Sequence, residues 1–359
     1  MDFGLSEEQE LLQETVRRFV AEACPATRLR ELFEGEESID PALWRGLGEL
    51  GVLGLAVPED FGGAGLEVLD LALVAEVLGG GALPGPFFGH ALATLAIVWG
   101  GSTDQRERWL PKLATGDAIA SLAVGEGAAG WDPSEWIVGV EGGLASGAKD
   151  FVLAGDRADL LVVGTAGGGL GLIEAGDAGV DASPIDGLDR TRRVARIALS
   201  NARCDMLTDG AATAHRVRDA DLVLLAADAF GAAWQLLHMT IEYAGTREQF
   251  GTPLAQFQAV KHQIANAATA LEPARGLFWY AAHAIDHLPE RAAHAAAVAK
   301  AHVTDRALEV AKECVELHGG VGYTWESDVQ IWFKRVLFDR ALFGAPDAHR
   351  LRSADLAGW

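Results

Sequence analysis

Apolar residues recur with helical spacing through most of the first third of the chain. After Ser6 they return every three or four residues, and similar patterns run from Leu43 to Leu50 and from Val68 to Leu78. Ser6 followed by Gln9 has the spacing of a capping box, which predicts that a helix begins there. The glycine-rich stretch 57–65 contains a proline and predicts a loop between two helices.

The pattern changes near residue 119, where short apolar runs alternate with glycine-rich turns. The runs are Ile119 to Val124, Trp136 to Val140, Phe151 to Leu153 and Leu160 to Val163. The glycine run 167–171 is flanked by strand patterns and no helix follows it. It therefore predicts a hairpin and not a dinucleotide-binding loop.

Helical patterns return after about residue 219 in four long segments. These are Leu222 to Tyr243, Phe257 to Ile285, Arg291 to Leu317 and Asp328 to Phe343. The first is apolar nearly all round but is interrupted by polar residues, which predicts a buried bundle helix. We therefore expect an α+β fold, mostly α. It has an N-terminal helical domain (1–117), a middle antiparallel β-barrel or sandwich (118–218) and a C-terminal four-helix bundle (219–359).

The composition narrows the class of protein. Hydrophobic residues make up 50% of the 359, yet no run of about twenty lacks charged or strongly polar groups, which argues against a membrane span. The formal net charge of -22 repels polyanions, so nucleic acid is not an expected partner. Cys24, Cys204 and Cys314 lack metal-ligand spacing, and the amino terminus is acidic. We expect reduced thiols, no metal site and a cytoplasmic protein.

Five motifs in order resemble acyl-CoA dehydrogenases from end to end. They are LSEEQ at 5–9, LGVLGLAVPEDFGGAG at 50–65, LPKLATGD at 110–117, TREQFGTPLAQFQ at 246–258 and ELHGGVGYT at 316–324. The resemblance implies an FAD cofactor and an acyl-CoA substrate. It also implies oxidation to the 2,3-enoyl-CoA, with the electrons passed to an electron-transfer flavoprotein.

In that family the adenosine half of FAD is held partly by a neighbouring subunit, through an arginine, a phenylalanine and a glutamine. The matching residues here are Arg247, Phe250 and Gln258. The guanidinium fork suits phosphate oxygens, and an aromatic ring suits the adenine side. The alternative interpretation is a surface arginine with two packing residues.

A second set of matching residues follows a predicted helix. The resemblance implies that Gly319 and Gly320 let the backbone approach the FAD pyrophosphate. Glu316 stands where the family usually has a glutamine, so a negative charge lies near the expected phosphates and would repel them.

The residues expected beside the flavin ring depart from the family pattern. Within the segment 125–132, Gly125 and Trp131 replace two hydroxyl residues. Phe151 and Leu153 replace a tryptophan and a threonine, and leucine has no side-chain donor. We expect the large Trp131 indole to fill the slot that the cofactor ring would need.

The usual catalytic carboxylate is also missing. An ungapped match from Gly319 onward places Phe343 where the family has its glutamate base. Some family members carry the base on the preceding helix, at the position of Asp221, although aspartate is about 1.5 Å shorter than glutamate. The alternative interpretation of Asp221 is an N-terminal helix acid, beside Asp219, that complements the helix dipole. Glu326 is interpreted as a helix-start residue without a chemical role.

Three hypotheses about function follow. We favour a subunit of a heteromeric acyl-CoA dehydrogenase that completes the FAD site of a homologous partner and lacks its own base. The second hypothesis is a self-sufficient homo-oligomeric enzyme that uses Asp221 as its base, and the third is a non-enzymatic acyl-CoA-binding scaffold. The segment 323–326 and the Ala- and Gly-rich composition resemble the actinobacterial steroid side-chain branch, which implies a steroid-CoA substrate and a heterotetramer.

Overall fold

The structure is a computed structural model that describes residues 4–37, 39–127 and 130–359. Its α-helices are α1 Glu7–Ala23, α2 Ala26–Glu34, α3 Pro41–Glu49, α4 Val68–Gly80, α5 Phe87–Gly100, α6 Thr103–Thr115, α7 Gly210–Thr246, α8 Gln258–Leu271, α9 Arg275–His287, α10 Pro289–Leu317, α11 Val329–Ala341 and α12 Pro346–Leu356. Its strands are β1 Ala120–Ala123, β2 Gly139–Glu141, β3 Leu144–Leu153, β4 Leu160–Thr165, β5 Gly169–Glu174, β6 Val180–Ile185, β7 Val194–Arg203, β8 Asp205–Met206, β9 Glu248–Gln249 and β10 Thr252–Pro253.

The chain divides into two compact units. The first, which we call the helical unit, lies within residues 1–34, 72–83 and 222–359, and the second, the mixed unit, lies within 35–71 and 84–221. The sequence-based boundaries at 117/118 and 218/219 describe the order of segments along the chain and remain a prediction.

The N-terminal helices begin where their sequences predict. The Ser6 side chain accepts from the backbone N–H of Gln9, and the Gln9 side chain accepts from the backbone N–H of Ser6, so the capping box is confirmed. Ser102 and Gln105 repeat this arrangement at the start of α6. The predicted loop 57–65 contains a single 3-10 turn, Glu59–Phe61.

The strands of the mixed unit form two four-stranded sheets, in the orders β1-β4-β5-β8 and β2-β3-β7-β6. Both sheets contribute to one apolar cluster, so the sandwich is confirmed and a closed barrel is not formed. The glycine-rich hairpin is also confirmed, because β4 and β5 pair antiparallel up to Thr165 and Gly169. One pair, β1 with β4, is parallel, contrary to the antiparallel expectation. The chain between them enters the other sheet and returns, which supplies the long crossover that parallel strands need.

The C-terminal helices differ from the predicted four segments in three places. Helix α7 begins at Gly210, not near residue 219. The predicted segment 257–285 is two helices, because the 3-10 turn Glu272–Ala274 contains Pro273, which has no backbone N–H to continue the ladder. Helix α12 was not predicted. By length and composition α7 could cross a membrane, but 78% of its most apolar window is buried, as expected of a core helix.

Within the helical unit, α4 and α7 cross in close contact at glycines. A Cβ built on Gly79 would overlap the Asp228 backbone, and one built on Gly231 would overlap the Glu76 carbonyl oxygen. Beside this crossing the buried Asp228 carboxylate accepts two hydrogen bonds from Arg335, at 2.6 and 3.0 Å. The glycines therefore set how closely the two helices approach.

Candidate functional site

Phe250 lies at the tip of a short hairpin in the helical unit. β9 and β10 pair Gln249 with Thr252, so Phe250 and Gly251 form the two-residue turn with φ of 54° and 76°. Such a turn favours glycine or asparagine, and a phenylalanine in it carries backbone strain. Phe250 is nevertheless 96% exposed, and its ring lies edge-on to that of Phe257 with centroids 6.3 Å apart. Strain combined with exposure indicates a residue placed to contact something outside this chain.

Arg247 and Gln258 flank this hairpin. The backbone carbonyl of Arg247 accepts from Leu254 N at 2.8 Å, which closes the hairpin at its base. Within the described part of the chain the exposed guanidinium of Arg247 has no ion pair and no side-chain hydrogen bond. Gln258 is the exposed first residue of α8, and the N-cap residue Phe257 supplies no side-chain acceptor to the first turn. A guanidinium and uncapped helix N–H groups are donors suited to phosphate.

The predicted glycine pair lies directly after α10. Gly319 has a φ of 64°, both glycines are exposed, and a Cβ on either would meet no atom within 4 Å. Their backbone therefore faces open space. Glu316 is exposed in the last turn of α10, where a carboxylate is also unfavourable for the helix dipole.

Tyr243 ties the two predicted contact elements to one end of the helical unit. Its ring stacks on His318 with centroids 4.4 Å apart, and its hydroxyl lies 3.4 Å from the His318 carbonyl oxygen. Tyr243 precedes Arg247 by one helical turn, and His318 directly precedes Gly319. The structure thus brings Arg247, Phe250, Gly319 and Gly320 to elements that leave the same helix pair, α7 and α10.

The positions expected beside the flavin ring are filled by protein. Trp131 packs on Phe151 with ring centroids 6.1 Å apart, and Phe151 has a positive φ of 58°. A Cβ built on Gly125 would lie 2.6 Å from the Trp131 ring. The lost side chain at Gly125 therefore makes the room that the indole occupies. Ala128 and Ala129 of the same segment lie outside the described residues.

A buried ion pair holds this segment to the mixed unit. The Glu126 carboxylate accepts from the Lys149 ammonium and from the backbone N–H groups of Ile137 and Val138 at 2.7 and 3.2 Å. Burial lowers the pKa of Lys149 to about 8, although Glu126 acts to raise it. At the other end Arg218 donates to Asp132 at 2.8 Å. The segment is anchored on both sides of Trp131.

Phe343 occupies a rigid turn between α11 and α12. It is buried with a positive φ of 56°, and its carbonyl oxygen lies 2.8 Å from Nε2 of His349. The buried Lys300 ammonium donates to the carbonyls of Asp339 and Leu342, the latter at 2.8 Å. Hydrogen bonds thus hold in place the turn that carries the catalytic base in the family, but here Phe343 occupies the position of the base.

Asp221 lies inside α7 and is fully buried. Because α7 begins at Gly210, Asp221 lies in the helix interior, and its interpretation as an N-terminal helix acid is wrong. A buried carboxylate in a helix interior is costly and is a reasonable candidate for chemistry. Glu326 does not start a helix either, since α11 begins at Val329 after the N-cap residue Asp328.

Sequence reasoning missed two cations that position these elements. Lys300 was detectable as a lone lysine on the apolar face of α10, which is otherwise rich in alanine. Arg30 of α2 donates to the carbonyls of Trp325 and Glu326, and it had no such signal because these partners are almost 300 residues away.

Both ends of the chain match models of one protein family. The family model described as acyl-CoA dehydrogenase, N-terminal domain, matches residues 6–117, and the one described as acyl-CoA dehydrogenase, C-terminal domain, matches residues 209–357. The acyl-CoA dehydrogenase IpdE2 of Mycobacterium tuberculosis is 33% identical over 341 residues, covering 95% of this chain and 94% of IpdE2.

Two solved structures are similar throughout. A variant of the Tcur3481-Tcur3483 steroid ACAD has a TM-score of 0.90 and 31% identity, with 98% of each chain covered. The ChsE4-ChsE5 complex from Mycobacterium tuberculosis has a TM-score of 0.91 and 28% identity, covering 100% of this chain and 99% of the other.

Proposed function

The chain belongs to the acyl-CoA dehydrogenase family, and we propose that it is one subunit of a heteromeric, FAD-dependent acyl-CoA dehydrogenase. In this proposal it completes the FAD site of a homologous partner chain and has no working flavin-ring site of its own. The family assignment rests on both domain matches and on a relative that covers almost the whole chain.

One contrast carries the proposal. The residues that family members offer to a neighbouring subunit, Arg247, Phe250 and the pair Gly319–Gly320, are exposed on this chain. At the positions that would face this chain's own flavin, Trp131 replaces a hydroxyl residue and packs on Phe151. Retention of the first set with loss of the second is the pattern expected when two subunits share one cofactor.

The exposed set that a neighbouring subunit would contact is suited to bind FAD, whereas the positions beside this chain's own flavin ring are not. Arg247 would pair with a phosphate, Phe250 would offer an aromatic surface, and the open backbone at Gly319 and Gly320 would allow close approach. When bound, FAD accepts the hydride from the acyl chain. In the mixed unit the Trp131 indole lies 2.6 Å from where a Cβ on Gly125 would stand, so it occupies the place of the side chain that the family carries there, and we assign no FAD to this chain's own site.

The exposure of helix α8 is a second, independent observation that favours a partner chain. Only Ala267 and Leu271 of its 14 residues are buried, although the helix contains many alanines and three larger apolar residues. A helix that buries so little apolar surface within its own chain is stabilised by packing against another. The Tcur3481-Tcur3483 and ChsE4-ChsE5 structures each join two differently named chains, which supports a homologous partner.

The substrate and electron acceptor follow by analogy. The steroid ACAD among the similar structures supports a steroid-CoA thioester as the acyl-CoA substrate. An electron-transfer flavoprotein would receive the electrons. We further propose a cytoplasmic location.

Arg247→Ala in the co-expressed complex tests the proposal. A charge-assisted phosphate contact contributes roughly 1.5–3 kcal/mol, so FAD affinity should fall about ten- to a hundredfold while the subunits stay together. Arg247→Lys should recover part of the loss, because a point charge lacks the guanidinium fork. FAD content is read from visible absorbance and intactness from gel filtration.

Arg18→Ala is the matched control. Arg18 is exposed on α1 of the same unit and has no proposed role, so this variant should retain its FAD. Unchanged FAD content and affinity in an intact Arg247→Ala complex would contradict the proposal.

A self-sufficient homo-oligomeric enzyme is the second candidate. The observation that favours it is the full burial of Asp221 in the interior of α7, where some family members carry their base. Robust turnover by the purified chain alone would support this candidate over the heteromeric one.

A further inference from the structure

Arg30 of α2 holds the segment that follows the glycine pair. Its guanidinium donates to the carbonyl of Trp325 at 2.7 Å, to the carbonyl of Glu326 at 3.1 Å and to the carboxylate of Asp328 at 2.9 Å. A weaker contact at 3.4 Å reaches Glu34 on its own helix. All three guanidinium nitrogens of Arg30 therefore donate to the stretch 325–328.

Trp325 adds a second anchor to the same helix. Its ring lies 5.6 Å from that of Phe33, and the Lys334 ammonium lies 4.4 Å from its centroid. Its indole N–H donates to Glu34 at 3.2 Å. Guanidinium hydrogen bonds and aromatic packing thus fix the far end of the segment against α2.

The near end is fixed separately. His318 stacks on Tyr243, and Gly322 packs so closely on the Val315 carbonyl that no side chain would fit there. Between the two anchors the exposed side chains include Val321 at 54% and Tyr323 at 73%. The stretch Gly319–Tyr323 forms a 3-10 helix that buries little of its own side-chain surface, so the two anchors fix where it lies on the helical unit.

We propose that Arg30 is a positioning residue for FAD binding in trans, which rests on the proposed function. It keeps the segment 319–328 in one conformation before the partner's FAD arrives, so that Gly319 and Gly320 present their backbone to the phosphates. Ordering the segment in advance removes an entropy loss that binding would otherwise carry. Arg30 touches neither FAD nor substrate.

The test is FAD titration of the apo form of the co-expressed complex. Arg30→Ala should raise the FAD dissociation constant about fivefold to thirtyfold, and Arg30→Lys should raise it less, since lysine reaches fewer of the acceptors. Activity at saturating FAD should return to the wild-type kcat. A purely structural role would instead lower kcat at saturating FAD and leave the affinity of the surviving complex unchanged, which would overturn the proposal.

Two further variants keep the outcome unambiguous. Arg28→Ala is the control on the same helix, because Arg28 forms a solvent-exposed ion pair with Glu31 at 2.9 Å, and this variant should bind FAD normally. If Arg30→Ala fails to fold, Asp328→Asn weakens the same contact from the other side. Asp328 makes no side-chain cap to α11, so this change spares the helix. Normal FAD affinity in Asp328→Asn and Arg30→Lys together would also overturn the proposal.

Arg247→Ala, titrated in parallel, separates the two ideas. Weak FAD binding in Arg247→Ala with normal binding in Arg30→Ala refutes the role of Arg30 and leaves the trans site standing. Normal binding in both variants refutes the trans site, and the role of Arg30 falls with it. Weak binding in both, with intact complexes, supports both.

Discussion

Removal of the buried Lys149 should change the pH dependence of stability in a defined window. Its side chain is fully buried, and its ammonium contacts Glu126, the Val124 carbonyl at 3.3 Å and the face of Trp136 at 5.1 Å. Burial lowers the pKa of Lys149 to about 8, with Glu126 opposing this shift. An unburied lysine has a pKa of about 10.4.

The sign follows from the proton count. Between these two pKa values the unfolded chain holds a proton on Lys149 that the folded chain has released, so folding stability rises with pH. The slope is about 1.4 kcal/mol per pH unit, or roughly 2 kcal/mol between about pH 8 and pH 9.5. Below about pH 8 both states are protonated, and the burial penalty stays constant.

Lys149→Met should abolish this gain. Methionine fills similar space without a charge, and the backbone N–H groups of Ile137 and Val138 continue to hold Glu126. The measurement is the difference in free energy of unfolding between wild type and variant, by urea titration at both pH values. Other titrating groups cancel in this difference. Lys261→Met, on the exposed surface of α8, is the control and should follow wild type. A wild-type-minus-variant difference that stays constant across the window would refute the reasoning.

Two further predictions concern the activity of the isolated chain and the close crossing of α4 and α7. The purified chain alone should oxidise acyl-CoA very slowly or not at all. Asp221→Asn should remove any residual turnover with little change in circular dichroism, because asparagine keeps the shape of aspartate but cannot accept the proton. Turnover that survives in this variant would place the base elsewhere. Gly231→Ala should prevent folding or lower the melting temperature sharply, since its Cβ overlaps the Glu76 carbonyl, whereas Gly245→Ala on the same helix meets open space and should be neutral or stabilising. Equal melting temperatures for the two would contradict the close crossing of α4 and α7.

Local sequence signals predicted the elements well where the signal and the structure lie within a few residues. Ser6 and Gln9 marked the start of α1, and the glycine run marked the β4–β5 hairpin. The break at Pro273 was missed because apolar periodicity continues across it, although the missing N–H of proline was visible in the sequence. Helix α12 was missed because its apolar residues do not form a periodic stripe.

The candidate site was predicted only in part. The trans set was recognisable because Arg247, Phe250 and Gln258 lie close together in one motif. Trp131 was expected to fill a slot, but the sequence did not reveal that Gly125 supplies the space for it. The interpretation of Asp221 as an N-terminal helix acid failed because the start of α7 carries alanines but few large apolar residues, so the helix was predicted to begin later than Gly210.

The family resemblance, the order of helical and β segments, and the residues that match the FAD motif could all be read from the amino-acid sequence. Each depends on patterns within a helical turn, a strand or a short motif. Three other features depend on how the whole chain folds: the parallel pairing of β1 with β4, the exposure of Phe250 and the contact of Arg30 with Trp325. These join residues far apart in the chain, or depend on which surfaces the packing leaves uncovered. A local pattern constrains only its neighbours, whereas distant contacts are selected by how the whole chain packs.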